Sequence, residues 1–388
     1  MKRKKLLFVI DSLDCGGAEK SLVSLLPLLN WDKYETHLWM LHRGGEFESL
    51  LPEYIIIEPE PIYGLLGRIK MRMASLCYSL TYRIKQLLGK HEHGAETLWK
   101  CMGWAFKVPE ENYDVAIAYQ QGFPTYLVAK KLCAHKKIAW INADIFSVGY
   151  NPDFNARFYT RFDVIIPVSK KLEELLGTHY SQFSDKFHCV YDILNPDIIK
   201  KQASEVLDEQ FFRGNTITIV TTGRLALPKN HILAVKAAKI LRDKGVDFKW
   251  FFIGEGSERS RIENLIKEYN LSDQVILLGM RSNPYPYMAR CDVYVQTSSF
   301  EGFGLTIAEA KILGKPVVST NFDVVHDQLK HGENGLIAEM TPESVAKNII
   351  RLFEDDDLRN HIIANVKKEE NTTYISEVEK VEKLLDAD

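Results

Sequence analysis

The sequence lacks the patterns that mark several large classes of protein. It has no C-x-x-C pair among its 6 cysteines, so neither a zinc site nor a disulfide framework is expected. No segment approaches the roughly 20 apolar residues needed to cross a bilayer. The formal net charge of -3, from 49 basic and 52 acidic residues, argues against a nucleic-acid partner, because such proteins are usually basic. What remains is an ordinary globular composition, with 46% hydrophobic and 26% charged residues.

The first residues resemble the start of a signal peptide but do not continue as one. The basic residues 2–5 lead into the apolar residues 6–10, and Asp11 and Asp14 then interrupt the run. An apolar run of this length is too short for a signal-peptide core. We therefore expect the protein to stay in the cytoplasm.

Short apolar runs alternate with helical patterns along the 388 residues, which predicts βα units built around parallel sheets. The polar stretch 195–215 divides this pattern into two series, and a chain of this length suits two cores. We predict α/β domains at 1–195 and 196–365, and a final helix within 366–388 that packs back toward the first domain. The predicted strands are 5–10, 35–41, 54–57, 113–119, 137–142, 164–168, 188–191, 216–222, 248–253, 275–278, 292–296 and 316–319. The predicted helices are 18–29, 230–244, 257–269, 305–313, 342–353 and 374–386.

The segment 64–90 is unusual because it carries six basic residues and no acidic one. Apolar residues recur in it at roughly helical spacing, which predicts a basic amphipathic helix. Such a helix can lie in the interface of a membrane that contains anionic lipids. It can equally pack on the first domain with a solvated basic face, and the sequence leaves both interpretations open. The basic residues are Arg68, Lys70, Arg72, Arg83, Lys85 and Lys90.

The most specific motif is the stretch 298–310, which follows a predicted strand and opens a predicted helix. Gly302 and Gly304 allow a sharp turn and a close approach of the backbone to a ligand. A helix start carries unpaired amides and a positive dipole end, where phosphate oxygens or hydroxyls bind. The amides in question are those of Phe303, Gly304 and Leu305.

Two glutamates flank this turn and make it more specific. Glu301 precedes the glycines and Glu309 lies one helical turn further on, and a carboxylate accepts hydrogen bonds from vicinal hydroxyls. The alternative is a simple glycine turn with a capping glutamate. The pair of carboxylates favours a ligand with hydroxyl groups.

A second motif places two cations at the end of the first strand of the second domain. Gly223 and Arg224 follow the predicted strand 216–222, and Lys229 lies shortly after them. Ligands of open α/β sheets bind beyond the carboxyl ends of the strands. Arg makes forked contacts with phosphate, so this placement favours a diphosphate site over two unrelated surface cations.

Three weaker signals lie at other strand ends. Gly16 and Gly17 begin a helix after the first strand but lack the complete G-x-G-x-x-G, so an ordinary NAD site is not expected. The turn at Gly254 is of a kind that often serves only chain reversal and capping. Met280 and Arg281 follow a strand on the same rim and are candidates for contact with a nucleobase.

With these motifs in this order, the chain resembles the retaining glycosyltransferases of family 4, in the GT-B fold. The resemblance covers essentially the full length and is most specific from about Val220 to Glu339. It implies two Rossmann-like domains that face each other across a deep cleft, with the acceptor on the side of the first and the nucleotide sugar on the second. The family motifs read here as Gly16-Gly17, Gly223-Arg224 with Lys229, Gly254-Glu255-Gly256, and the E-x7-E pair Glu301 and Glu309.

The resemblance also implies roles for these residues. Arg224 and Lys229 would hold the donor diphosphate, Glu309 the ribose, and Glu301 the donor sugar near its anomeric centre. Retention would follow from front-face attack, with a donor phosphate oxygen taking the acceptor proton. No metal and no cofactor are implied, because the two cations neutralise the leaving diphosphate. The acidic run 355–357 looks metal-like, but we interpret it as a solvated turn between helices.

The sequence departs from the family at one place. Many relatives have Trp-x-His-x-Asp at the end of a first-domain strand, where the His touches the donor sugar. Here the stretch from Trp140 to Asp144 carries Asn142 at the position of the His. An amide cannot take up a proton at neutral pH, so no catalytic base is expected there. Asp144 remains a candidate on the acceptor side.

The leading interpretation is an enzyme of bacterial-type surface polysaccharide or glycoconjugate biosynthesis, acting on a glycan or lipid-linked acceptor. It would work in the cytoplasm, peripherally on the inner membrane face if 64–90 binds anionic lipid. A sugar epimerase or phosphorylase of the same fold is one alternative, and the E-x7-E pair favours transfer over it. A non-catalytic glycan-binding scaffold is another, but Glu301 and Arg224 are both present.

Overall fold

The computed structural model describes residues 2–14, 16–60, 64–87, 92–207, 216–369 and 373–387. The chain forms two compact units. The first comprises Met1–Ile193 together with Ser376–Asp388, and the second comprises Leu194–Ile375. Each unit has its own six-stranded sheet, and every strand pair within both sheets is parallel. The prediction of two Rossmann-like α/β domains is therefore confirmed.

The first sheet has the strand order β3-β2-β1-β4-β5-β6. Its strands are β1 Lys4–Ile10, β2 Tyr34–Met40, β3 Ile56–Ile57, β4 Tyr113–Ala118, β5 Ala134–Ile141 and β6 Val164–Pro167. The helices of this part of the chain are α1 Gly17–Leu25, α2 Gly64–Leu87, α3 Gly94–Met102, α4 Phe123–Lys130, α5 Pro152–Tyr159 and α6 Lys170–His179.

The second sheet has the strand order β12-β11-β10-β7-β8-β9. Its strands are β7 Ile217–Thr222, β8 Phe248–Ile253, β9 Val275–Gly279, β10 Val293–Gln296, β11 Val317–Thr320 and β12 Leu336–Ala338. The helices are α7 Pro196–Ala203, α8 His231–Asp243, α9 Arg259–Glu268, α10 Tyr285–Arg290, α11 Leu305–Ile312, α12 Pro342–Glu354 and α13 Asp356–Glu369. The last helix, α14, spans Thr373–Asp386.

The central strands are apolar along their whole length because helices cover both faces of each sheet. In β1, residues 6–10 are all fully buried, and the apolar residues of β10 are buried in the same way. One group of buried side chains on the second sheet joins β7 and β8 to α8 and α12, and another joins β10 and β11 to α10 and α11. These cores fix the carboxyl ends of the strands, where the candidate site lies.

The C-terminal helix contributes to the first unit. The Lys4 ammonium donates to the Leu385 carbonyl at 2.6 Å, and the Asn30 amide donates to the Glu382 carboxylate at 3.0 Å. The Tyr191 amide donates to Glu377 at 2.9 Å. Residues 366–369 instead complete α13 in the second unit.

One strand prediction was wrong, and one strand was missed. Residues 188–191 form no strand, although His188 and Val190 donate backbone hydrogen bonds to Ile165 and Pro167 of β6. Only an isolated bridge, between Ile165 and Phe187, is formed there. The short edge strand β12 was missed, because three residues are too few to show a periodic pattern. Among the described residues, no helix has the combination of length and apolarity that spanning a bilayer requires.

Candidate active site

Two loops leave neighbouring strands of the second sheet at its carboxyl edge. Strand β7 ends at Thr222 and continues into Gly223 and Arg224, and the adjacent strand β10 ends at Gln296. The loop after β10 carries Glu301 and leads into α11. Because parallel neighbours end at the same edge, the two strongest sequence motifs meet there.

Glu301 is the centre of a hydrogen-bonded cluster in this loop. Its carboxylate accepts from the Lys229 ammonium at 2.6 and 2.7 Å, from the Gln296 amide at 2.6 Å and from the Ser298 hydroxyl at 2.6 Å. Its side chain is 10% exposed. Hydrogen bonds from several donors, one of them a cation, hold a carboxylate in one orientation. The Glu301 carboxylate is thus fixed in position at the edge of the sheet.

Lys229 and Arg224 differ in how they are held. Lys229 lies at the end of a 3-10 turn, just before Asn230, which adopts a left-handed conformation with φ of 49°. This turn aims the ammonium at Glu301, and its side chain stays 23% exposed. Arg224 is exposed on the same loop. An ammonium has three donors, so Lys229 can hold Glu301 and still donate to a phosphate oxygen.

The start of α11 lies next to this cluster. Gly304 precedes the helix with φ of 89°, a left-handed conformation that favours glycine. The Gln328 amide donates to the carbonyls of Phe303 and Gly304, which fixes the turn. The Leu305 amide is in the first turn of α11, where helix amides have no partner within the helix. The turn thus presents a helix start close to Glu301.

Glu309 lies one turn into α11 and is completely buried. The Tyr285 hydroxyl, at the start of α10, donates to its carboxylate at 3.0 Å. This contact ties the helix that carries Glu309 to the neighbouring helix. Of the E-x7-E pair, Glu301 therefore lies in the loop after β10, and Glu309 is buried in α11, the helix that follows this loop.

The glycine of the Gly-x-Gly turn has a clear packing role. A Cβ on Gly254 would lie 2.0 Å from the Gly223 carbonyl oxygen, and its φ is 151°. The Gly223 amide donates to Ile253 and the Gly254 amide donates to Gly279, both at 2.9 Å. The loops after β7, β8 and β9 are thus joined edge to edge by their backbones. The glycine lets the loop that carries Arg224 approach its neighbour.

The nucleobase candidates continue this rim. Met280 is 54% exposed directly after β9, and Arg281 is exposed beside it. The Arg281 guanidinium donates only to the neighbouring Met280 carbonyl, at 3.2 Å, among the bonds of the described chain. Both residues lie at the same sheet edge as the cations, and the contact of their backbone with a nucleobase stays a prediction.

Sequence reasoning missed the residues that support Glu301. Gln296 is 2% exposed, and besides donating to Glu301 it accepts from the hydroxyls of Tyr294 at 2.7 Å and Thr306 at 3.0 Å. A glutamine that ends an otherwise apolar buried strand was the available signal, because a buried amide needs partners. Ser298 gave no such signal, since serine is common in loops.

The first-unit candidates lie at the carboxyl edge of the first sheet. The Asn142 amide group donates to the Tyr119 carbonyl at 2.8 Å, and its Oδ1 is buried without a hydrogen bond from the described residues. Asp144 instead caps its own loop, accepting from the Phe146 amide at 2.8 Å and from Ser147. Its carboxylate therefore has a structural task in addition to any contact with an acceptor. Gly16 caps α1, and Gly17 is its first residue.

Two carboxyl groups of the first unit were not singled out from the sequence. Burial raises the pKa of Asp11, directly after β1, to about 6, partly offset by His42. Burial raises the pKa of Asp192 to about 7, and a hydrogen bond from Ser21 opposes this shift. The Ser21 hydroxyl in turn lies 3.0 Å from that of Tyr119. Both carboxyls thus keep their protons up to a higher pH than an ordinary aspartate does.

Two side chains of the acidic run 355–357 make contacts within the first turn of α13. Asp355 accepts from the Leu358 amide at 2.9 Å, and Asp356 pairs with Arg359 at 2.6 Å. Within the described ranges, no three or more His, Cys, Asp or Glu side chains are grouped so that they could hold a metal ion.

Comparison with known sequences finds a family model that matches the part of the chain carrying this site. Residues 204–369, which are most of the second unit, match the family model of the glycosyl transferases group 1. N-acetylgalactosamine-N,N'-diacetylbacillosaminyl-diphospho-undecaprenol 4-alpha-N-acetylgalactosaminyltransferase of Campylobacter jejuni is 29% identical over 364 residues, which are 92% of each chain. N-acetyl-alpha-D-glucosaminyl L-malate synthase of Bacillus anthracis is 26% identical over 264 residues, 65% of this chain and 68% of its own.

Solved structures agree on the fold. HepE of Anabaena, crystallised with UDP and glucose, superposes with a TM-score of 0.74 at 19% identity over 99% of both chains. TarM of S. aureus superposes with a TM-score of 0.70 at 14% identity, over 99% of this chain and 100% of its own. The motifs, the two parallel sheets and these relatives lead to one conclusion: the chain has the GT-B fold, its residues 204–369 match the glycosyl transferases group 1, and over most of its length it is similar to glycosyltransferases.

Proposed function

We propose that this glycosyltransferase is retaining and metal-independent, and that it moves a sugar from a nucleoside-diphosphate sugar to a glycan or lipid-linked acceptor. The observation that carries the proposal is the contact of Lys229 with Glu301 beside the start of α11, with Arg224 exposed on the loop that leads to Lys229. It brings two cations, a helix start and a fixed carboxylate to one sheet edge. This combination of partners suits a diphosphate joined to a sugar.

The cations take the part that a metal plays in other transferases. As the bond from the anomeric carbon to the phosphate oxygen breaks, negative charge collects on the diphosphate. Lys229 and Arg224 are positioned to stabilise that charge, and a preorganised cation is worth most where charge develops. The helix start at Leu305 adds amide donors on the same side.

The first unit offers no obvious base to deprotonate the acceptor at the position of the family histidine. Asn142 occupies that position, and its amide group is engaged with Tyr119. In the proposed step, the acceptor oxygen bonds to the anomeric carbon on the face that the diphosphate leaves. The acceptor proton passes to the departing phosphate oxygen, which balances the step and retains the configuration.

The acceptor class is proposed from the relatives. The Campylobacter jejuni enzyme acts on a diphospho-undecaprenol, a lipid-linked acceptor, and covers 92% of this chain. Another relative, of 30% identity over 145 residues, is a lipopolysaccharide core biosynthesis glycosyltransferase of Rhizobium meliloti. We accordingly place this chain in surface-glycan biosynthesis, at the cytoplasmic face of the membrane that holds the acceptor.

The test is transfer by the purified chain in the presence of EDTA, with the anomeric configuration of the product read by NMR. UDP-sugars come first in the donor panel because HepE and TarM were crystallised with UDP. We expect an α-linked donor to give an α-linked product at a rate that added Mg²⁺ does not change. An inverted product would refute retention, and an absolute need for a divalent cation would refute the role of the two side-chain cations.

A further inference from the structure

Helix α2, Gly64–Leu87, packs on its own unit by one narrow face. Residues spaced three or four apart along this face are buried or half-buried, with Ala74 only 1% exposed. The Lys85 ammonium donates to the Thr97 hydroxyl of α3 at 3.2 Å, and Thr81 contacts Cys101 of the same helix. The face that the helix turns to the protein is therefore mixed, with Gly67, Ala74, Thr81 and Lys85 beside Met71 and Tyr78.

The opposite face of α2 is an exposed apolar stripe. Its members recur at intervals of four, three, four and four residues, which places them on one side of a helix. Their exposed fractions are far above those of a packed helix. They are Ile69 at 46%, Met73 at 62%, Leu76 at 72%, Leu80 at 59% and Ile84 at 46%.

Cations border this stripe, and the helix has no acidic residue over its whole length. Lys85 is paired with Glu92, but four other basic side chains are exposed to solvent. A protein partner or a second copy would usually meet a mixture of charges. A single sign of charge around an apolar stripe instead matches a surface of anionic headgroups over hydrocarbon. The four exposed cations are Arg68, Lys70, Arg72 and Arg83.

We propose that α2 is a membrane-docking helix that lies flat in the interface of an anionic bilayer, with the Ile69–Ile84 stripe in the acyl boundary. Its cations contact the headgroups, and its packed face holds the first unit at the membrane surface. The proposal takes the membrane interpretation of the two that the sequence left open, because the continuous apolar stripe of the helix is the exposed one. This inference rests on the membrane location given under the proposed function and specifies the surface responsible for it. Membrane binding by α2 can nevertheless be measured without donor substrate and without turnover.

The experiment is co-sedimentation of the full-length protein with vesicles, without nucleotide sugar. Vesicles of phosphatidylcholine with 30–40% phosphatidylglycerol, about the anionic share that gives a strong surface potential, are compared with pure phosphatidylcholine. We expect binding to the anionic vesicles only, weakened by raised salt because headgroup contacts are screened. Each interfacial cation contributes about fivefold to partitioning. The variant Arg68→Gln/Lys70→Gln/Arg72→Gln should therefore bind roughly 100-fold more weakly.

A second variant tests the stripe. Met73→Ser/Leu76→Ser/Leu80→Ser should lose at least about tenfold in binding, because each side chain gives up hydrocarbon burial. Its matched control is Val206→Ser/Met340→Ser/Ile375→Ser, which removes three exposed apolar side chains elsewhere and should bind like the parent. The control for charge is Lys347→Gln/Arg351→Gln/Lys368→Gln, at three exposed cations of α12 and α13.

Each outcome decides the proposal. The proposal is supported if both α2 variants lose binding to anionic vesicles and both control variants keep it, even if no transfer activity is found. A parent protein that ignores anionic vesicles overturns it, as does binding that both α2 variants retain. A parent that is dimeric in solution, with the stripe variant monomeric and vesicle binding absent, would assign the stripe to a second copy instead. Transfer to a water-soluble acceptor analogue by the α2 variants shows that the catalytic site has survived.

Discussion

At the scale of single residues, the chemistry of the second unit follows from where strands stop. The sequence singled out Arg224, Lys229, Glu301 and Glu309 as candidates because charged residues beside glycines at strand ends are informative. It could not show that Lys229 and Glu301 are bound to each other, since 72 residues separate them. It also could not show that Asp144 caps its own loop, because the same residue type serves both tasks.

Asp192 gives a prediction about pH at this scale. Its folded pKa of about 7 lies above the value of an unfolded aspartate, because burial disfavours the charged form. The folded state therefore binds the proton more tightly, and stability falls as pH rises from about 4 to about 7. The variant Asp192→Asn should remove that loss, gaining roughly 2–4 kcal/mol at pH 8 relative to the parent and little at pH 4.

The measurement is thermal unfolding of both proteins at several pH values between 4 and 8. The control is Asp185→Asn, at an exposed aspartate of the same unit, which should leave the pH profile of the parent unchanged. A variant whose advantage over the parent does not grow with pH would show that Asp192 is not held protonated.

At the scale of elements, loops joined by backbone contacts position the cations. The strands other than β12 and about half of the described helices were predictable, because apolar runs and helical periods are strong over five or more residues. The backbone contacts that join the loops after β7, β8 and β9 were not predictable. A Gly-x-Gly turn has the same sequence whether it packs against a neighbouring loop or binds a ligand. The close approach of Gly254 to Gly223 shows that packing is at least one of its tasks.

Gly254→Ala should therefore disturb the loop that carries Arg224. The added Cβ meets the Gly223 carbonyl oxygen at 2.0 Å in a backbone conformation that favours glycine, so the loops must separate. We expect a loss of about 2 kcal/mol or more in unfolding free energy and a weaker affinity for nucleoside diphosphate. Denaturant unfolding and nucleotide titration measure the two effects.

The matched control is Gly177→Ala in α6, where a Cβ meets nothing within 4 Å. Alanine lowers the entropy of the unfolded chain and favours helix, so this variant should be more stable by about 0.4–1 kcal/mol. If both variants were equally stable, the contact between the two loops would not matter to the fold.

At the scale of the whole molecule, the order of motifs carried more information than any one motif. Two βα series separated by a polar stretch predicted two units, and the resemblance of the motifs to family 4 predicted their fold. Composition and period could not show which face of α2 is packed. They lead to the expectation that the apolar face turns inward, as is usual, and this helix departs from that expectation. The exposed stripe on that helix is where local pattern and packing disagree, and such sites are often functional.

The measurement that tests the central claim most directly is calorimetric titration of the parent and of Arg224→Gln/Lys229→Gln with UDP, GDP and ADP in EDTA. We predict that one diphosphate binds the parent without metal, and that the double variant binds it at least about 100-fold more weakly. Each lost charged hydrogen bond costs about 1.5–3 kcal/mol, which supports that magnitude. A double variant with the affinity of the parent, or a parent that binds none of the three, would contradict the diphosphate site and with it the proposed mechanism.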